Sequence, residues 1–125
     1  MTSSERLIEF ARALLQLERA LAEPKSEFLR DSAIQRFEFS VDLAWKALQD
    51  VLERSYGLRP NAPKTAVRLA HENGVIEDVV PWLAMIDDRN LTSHTYDIDL
   101  AEDIYARLPA HAKLLRELAD RLVAP

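Results

Sequence analysis

Apolar residues recur along this chain at helical intervals almost from its start. Leu7, Phe10, Ala11, Leu14, Leu17 and Leu21 keep to one face of an α-helix. Ser4 fits as its N-cap, and Pro24 stops it, because a proline disfavours helical geometry in the residue before it. The longest predicted element runs from Ser26 or Asp31 to Ser55. Phe37, Val41, Trp45, Leu48 and Leu52 form one stripe along it; Phe39, Leu43, Ala47 and Val51 form a second beside the first. A helix with two apolar stripes buries more than one side, so it is either central in a bundle or also meets a partner chain. Gly57 ends it at C′. Pro60, Asn61 and Pro63 then mark a rigid connector. Pro63 opens a short third helix carrying Val67, Leu69 and Ala70, which Asn73 and Gly74 close. Asp78 caps a fourth, with Pro81 tolerated in the first turn. It carries Trp82, Met85 and Ile86 and runs on from Asp87 towards Tyr96. Asp97 or Asp99 caps a fifth, with Leu100, Ile104, Leu108, Leu115, Leu118 and Leu122 on its buried side and a kink expected at Pro109. No stretch alternates with period two over strand length. The pattern predicts an all-α, up-and-down antiparallel bundle of four long helices plus one short one.

Composition narrows this picture. At 125 residues, 48% of them hydrophobic, the chain suits one domain over 1–125 and can bury a core without staples. It has no cysteine, which excludes disulfides and thiolate metal sites and fits a reducing cytoplasm. Its two glycines leave no material for a Gly-rich phosphate cradle. The apolar runs are far too short for a membrane span, and the start has no signal-peptide core. With 16 Lys and Arg against 21 Asp and Glu, the net charge of −5 argues against a general nucleic-acid coating protein. A local basic site remains open.

Several chemistries are absent from the sequence. There is no HExxH, no EF-hand loop, no Walker sequence and no nucleophile elbow. His71 and His111 read as solvated surface residues. Glu38 and Asp42, spaced i and i+4 on the second helix, share a face. They could form a metal or acid/base pair, but read more simply as a polar stripe facing water or Arg36. No metal or other cofactor is expected.

The segment from Arg89 to Tyr96 is different. It gathers a fixed cation, an amide, an imidazole and a phenol: Arg89, Asn90, His94 and Tyr96. On a continuous helix Asn90 and His94 share a face, with Arg89 about 140° from His94 around the axis. Arg for phosphate charge and His for proton transfer are what metal-free phosphodiester cleavage needs. With 12 Arg and 3 His in the chain, an Arg-x4-His spacing alone is expected about 0.3 times by chance; adding the Asn and Tyr lowers that to roughly 2 in 10,000. The combined pattern is specific.

Arg-Asn-x3-His-x-Tyr resembles the motif of the HEPN superfamily in its version with a trailing Tyr. Together with Phe37-Glu38-Phe39 and Leu43-Ala44-Trp45-Lys46 upstream, the run from Asp87 to Asp97 is similar to one branch, the HepT-like nucleotidyltransferase substrate-binding proteins. The resemblance covers nearly the whole chain. It implies a helical bundle that dimerises through its motif-bearing helices, and a separately encoded minimal nucleotidyltransferase as antitoxin-like partner. The chain lacks that enzyme's own Gly-Ser and paired-Asp signature, so it does not itself transfer nucleotides.

Three readings follow. In the first, the chain is a toxin-like, metal-independent endoribonuclease in which His94 moves protons, Arg89 stabilises phosphorane charge and Asn90 orients His94 or bonds a phosphate oxygen. One motif supplies one imidazole, so a two-fold dimer would bring the second; Glu38, Asp42 and Lys46 are a supporting cleft, and Lys46 or Arg36 could add positive charge for RNA. In the second, the same cleft belongs to a non-catalytic subunit that binds a nucleotide or substrate. In the third, Arg89, Asp87 and Asp88 only form interface salt bridges. The acidic run from Asp97 to Asp99 suggests an exposed turn at Tyr96, and the resemblance makes Tyr96 the phenol onto which the partner transfers AMP.

Overall fold

The computed structural model describes residues 3–123. Within them the chain forms α1 (Ser3–Leu21), α2 (Glu27–Tyr56), α3 (Pro63–Glu72), α4 (Val79–Leu91), a 3-10 turn (Thr92–His94) and α5 (Ile98–Val123). The architecture is the predicted all-α bundle. α1 already includes Ser4, so that residue is helical and not the N-cap. Ser26 caps α2, its hydroxyl accepting the Leu29 amide at 3.0 Å. At the other end Gly57 turns left-handed at φ 68°, and the amides of Gly57 and Leu58 return to the carbonyls of Glu53 and Leu52. Pro63 is the first residue of α3, and Asp78 caps α4 through the Val80 amide. Asp97 caps α5 by accepting from the amides of Asp99 and Leu100. The helix then continues through Pro109 to Val123.

Side-chain contacts set the helix directions. Arg6 pairs with Asp50, and Arg36 donates to the Gln16 carbonyl, so α1 lies antiparallel to α2. Arg30 reaches Glu102, and Phe37 stacks on His111 with ring centroids 5.2 Å apart, so α2 and α5 run parallel. Asp88, near the end of α4, meets Arg107 and His111, and Trp82, near its start, lines one cleft with Leu118 and Arg121, which makes α4 antiparallel to α5. The order is therefore up, down, up, down, with α3 laid against α2 and α4.

The core draws on every helix. Phe10, Leu14 and Leu17 of α1, Phe37, Leu48 and Leu52 of α2, Val67 of α3, Met85 of α4 and Ile104, Leu108 and Leu115 of α5 are all fully buried. Each large side chain so buried stabilises the fold by about 1.5–3 kcal/mol relative to exposure. α2 uses both of its stripes unequally. The second holds buried Ala47 and half-buried Leu43 and Val51, yet leaves Phe39 50% exposed.

Candidate functional site

The last turns of α4 bring Arg89 against the middle of α2. Its Nε donates to one oxygen of Asp42 at 2.7 Å and its Nη2 to the other at 2.9 Å. Glu38, one turn earlier on α2, lies 3.6 Å from Nη2. A forked guanidinium on a carboxylate is a strong, geometrically specific pair. The hydrogen bonds that Arg89 donates to Asp42 raise its pKa, outweighing the opposing effect of partial burial. Glu38 and Asp42 therefore face Arg89 while staying about one-third exposed to water, and Arg36 is turned to α1 instead. No group of three or more His, Cys, Asp or Glu among the described residues is arranged to hold a metal ion.

Beyond Leu91 the backbone tightens. Thr92 Oγ1 donates to the Arg89 carbonyl at 2.7 Å and Thr95 Oγ1 to the Thr92 carbonyl at 2.9 Å. Hydroxyls that take up backbone carbonyls compete with continuation of the helix. His94 thus sits in a 3-10 turn, and Asn90 and His94 do not share one face of a continuous α-helix as the sequence suggests. His94 is exposed, and Tyr96 is 83% exposed in the turn before α5. Their rings meet edge to face, centroids 6.1 Å apart. The structure so groups Arg89 with Glu38 and Asp42, and His94 with Tyr96. Asn90 and Lys46 are exposed, and no contact among the described residues ties either to these groups.

The neighbouring carboxylates have different roles. Asp87 pairs with Lys64 at 2.6 Å. Asp88 is buried, and its oxygens accept from Arg107 Nε and Nη2, both at 2.8 Å, and contact His111 Nε2 at 2.7 Å. An ionised carboxylate can only accept, so His111 Nε2 carries the hydrogen. Burial pushes the Asp88 carboxyl up, but hydrogen bonds from Arg107 and His111 outweigh this and hold it below the ordinary aspartate range. His111 is 7% exposed, so its reading as a surface histidine is wrong. A signal for it existed. Residue 111 fills the gap in the apolar series Ile104, Leu108, Leu115, Leu118, and a histidine at a core position needs a partner. Asp88 and Arg107 pair within the chain.

No helix among the described residues is long and apolar enough to cross a membrane. Residues 5–124 match the family described as nucleotidyltransferase substrate binding protein like. A Haemophilus influenzae protein named "Probable ribonuclease HepT" is 36% identical over 85 residues, spanning 61% of this chain; the chain matches little more than half, 55%, of that curated relative's length. A solved structure from Thermus thermophilus is 42% identical with a TM-score of 0.87, covering 92% of this chain and 99% of its own. A second, from Haemophilus influenzae, is described as revealing the fold of a substrate binding domain of a nucleotidyltransferase. It is 27% identical, TM-score 0.84, covering 94% and 99%. A toxin-antitoxin MntA-HpeT mutant, 14% identical with a TM-score of 0.79 over 98% of each chain, shares the fold.

Proposed function

The chain belongs to the nucleotidyltransferase substrate binding protein like family, and from that premise we propose that it is the HEPN-type partner of a separately encoded minimal nucleotidyltransferase. We infer further that it is a toxin-like, metal-independent endoribonuclease acting through Arg89 and His94. The relative named ribonuclease HepT supports the activity, and the toxin-antitoxin structure of like fold supports the pairing. The observation that carries the reading is the exposed contact between His94 and Tyr96 just beyond Arg89. It leaves an imidazole free for proton transfer and a phenol within reach of a modifying enzyme.

In the reaction one imidazole takes the proton of a ribose 2′-hydroxyl, whose oxygen attacks phosphorus. The bond to the 5′-oxygen breaks as a second imidazole, from the other protomer, protonates it. The products are a 2′,3′-cyclic phosphate and a 5′-hydroxyl end. Arg89 stabilises the charge that builds on the phosphorane oxygens, and Asn90 contacts a phosphate oxygen or His94. The Tyr96 hydroxyl, losing its proton, attacks the α-phosphorus of an ATP held by the partner, and pyrophosphate leaves. The AMP so attached places a phosphodiester charge and an adenosine beside His94, which repels RNA and blocks access.

The family description and the solved neighbour described as a substrate binding domain of a nucleotidyltransferase support a second reading, a non-catalytic subunit that binds a nucleotide or substrate in the same place. RNA cleavage by the purified protein in EDTA separates the two. The expected result is cleavage that His94→Ala and Arg89→Ala each abolish while circular dichroism stays unchanged. Absence of cleavage, or its persistence in the His94 variant, favours the binding subunit.

A further inference from the structure

A cleft of about 610 Å³ opens where the connection from α3, the start of α4 and the last turns of α5 meet. Its size falls within the range of ligand and anchor pockets, about 300–1,000 Å³. The floor is apolar. Ile76, Trp82 and Leu118 are buried there, and Leu114 is half-buried. The rim carries four carboxylates, Glu77, Asp78, Glu117 and Asp120, and one cation, Arg121. That cation is already engaged, donating to the Val75 carbonyl and to Glu77. Asp120 lies 3.6 Å from Arg116, and Asp78 accepts the Val80 amide. Glu117 has no hydrogen bond or ion pair among the described residues, not even with Lys113 one turn before it.

We propose that this cleft docks a basic, amphipathic segment of a partner protein. An apolar side chain of the segment seats against half-buried Val75 and Leu114, which lie beside Trp82 and Leu118, and Lys or Arg on either side meets Glu117, Asp78 and Asp120. Charge decides the occupant. A phosphate-bearing ligand or RNA would face four carboxylates with one committed guanidinium to set against them. A second copy docked symmetrically at this cleft would set the same four carboxylates against one another. A basic segment is attracted at long range and then held by covering the half-buried Val75 and Leu114. The site lies at the start of α4 and Arg89 near its end, about 16 Å along the helix axis. Arg89, His94 and Tyr96 do not line the cleft, so the docking segment and the motif occupy different places on the molecule. The proposal stands whether or not the chain cleaves RNA.

The test is heteronuclear NMR on the whole protein, titrated with a synthetic peptide of about twelve residues that carries two leucines one helical turn apart flanked by lysines. The expected result is saturable shifts at the Trp82 indole and the amides of 114–121. Glu117→Lys should weaken binding by about tenfold or more, whereas Glu23→Lys, the same charge change at an exposed position on the loop after α1, should leave it within about twofold. A peptide with glutamate for lysine should not bind. Absence of shifts at the cleft overturns the proposal. So does equal weakening by the two variants, which would mean diffuse charge attraction, and so does equal binding of the glutamate peptide.

Discussion

Arg89 is an anion-binding group that already holds an anion. To meet a phosphate it must share or release Asp42, with which it makes two short hydrogen bonds. The pair is about one-third exposed on each side, so solvent screens it. Asp42→Asn should therefore lower stability by only about 1 kcal/mol in chemical denaturation. Fluorescence anisotropy should show that variant binding a short RNA more tightly at low salt, because the guanidinium loses its competing carboxylate. Unchanged RNA affinity would mean that Arg89 does not contact the phosphate. Tyr96 presents the opposite case, a side chain with almost nothing around it but the edge of His94. Co-expression with the partner nucleotidyltransferase should add the mass of one or more AMP groups to the intact protein, and Tyr96→Phe should add none. The four motif residues are legible in the sequence because they lie within eight positions of one another. The carboxylates that engage Arg89 are not, since 47 residues separate Asp42 from it.

α2 and α5 are legible as elements because their signals are local: apolar spacing, a Ser cap, a left-handed Gly and an Asp cap. The end of α4 is not. No Gly or Pro marks it, and the helix stops where Thr92 and Thr95 take up carbonyls. The joint between α4 and α5 also escapes a linear reading, because it consists of buried Asp88 and His111 joined by half-exposed Arg107. Asp88→Ala strips buried His111 of its acceptor and should cost about 1–3 kcal/mol at neutral pH, measured by urea unfolding. The cluster also sets an acid limit. The folded pKa of Asp88 is below its ordinary value, so the unfolded chain binds the proton more readily. Its contribution is complete above the ordinary aspartate pKa of about 3.9 and is lost as pH falls through the lowered folded value. Stability measured from pH 7 to pH 3 should fall more steeply in the parent chain than in Asp88→Asn.

α2 leaves Phe28, in its first turn, largely in water and Phe39, near its middle, half exposed. Phe39 is next to Glu38 and three residues from Asp42, on the side where α2 receives Arg89. The two-stripe pattern in the sequence predicts either a central helix or a helix that meets a partner. The fold satisfies the first alternative, and exposed Phe39 supports the second. Sedimentation at micromolar concentration should give a dimer, and Phe39→Glu should give a folded monomer. A monomeric parent chain would remove the second imidazole that the cleavage reaction needs.

α2 touches α1, α3, α4 and α5 as well as the turn that carries His94. No subset of the other helices can open and leave α2 free in solvent, whereas α3 can detach from its two neighbours alone. Amide hydrogen exchange should divide the molecule accordingly. Protons in the middle of α2 should exchange last and report the global unfolding free energy, while those of α3 should exchange through a cheaper local opening. A destabilising change at Leu52 should then speed exchange in every helix, because the helix it weakens has no private way to unfold.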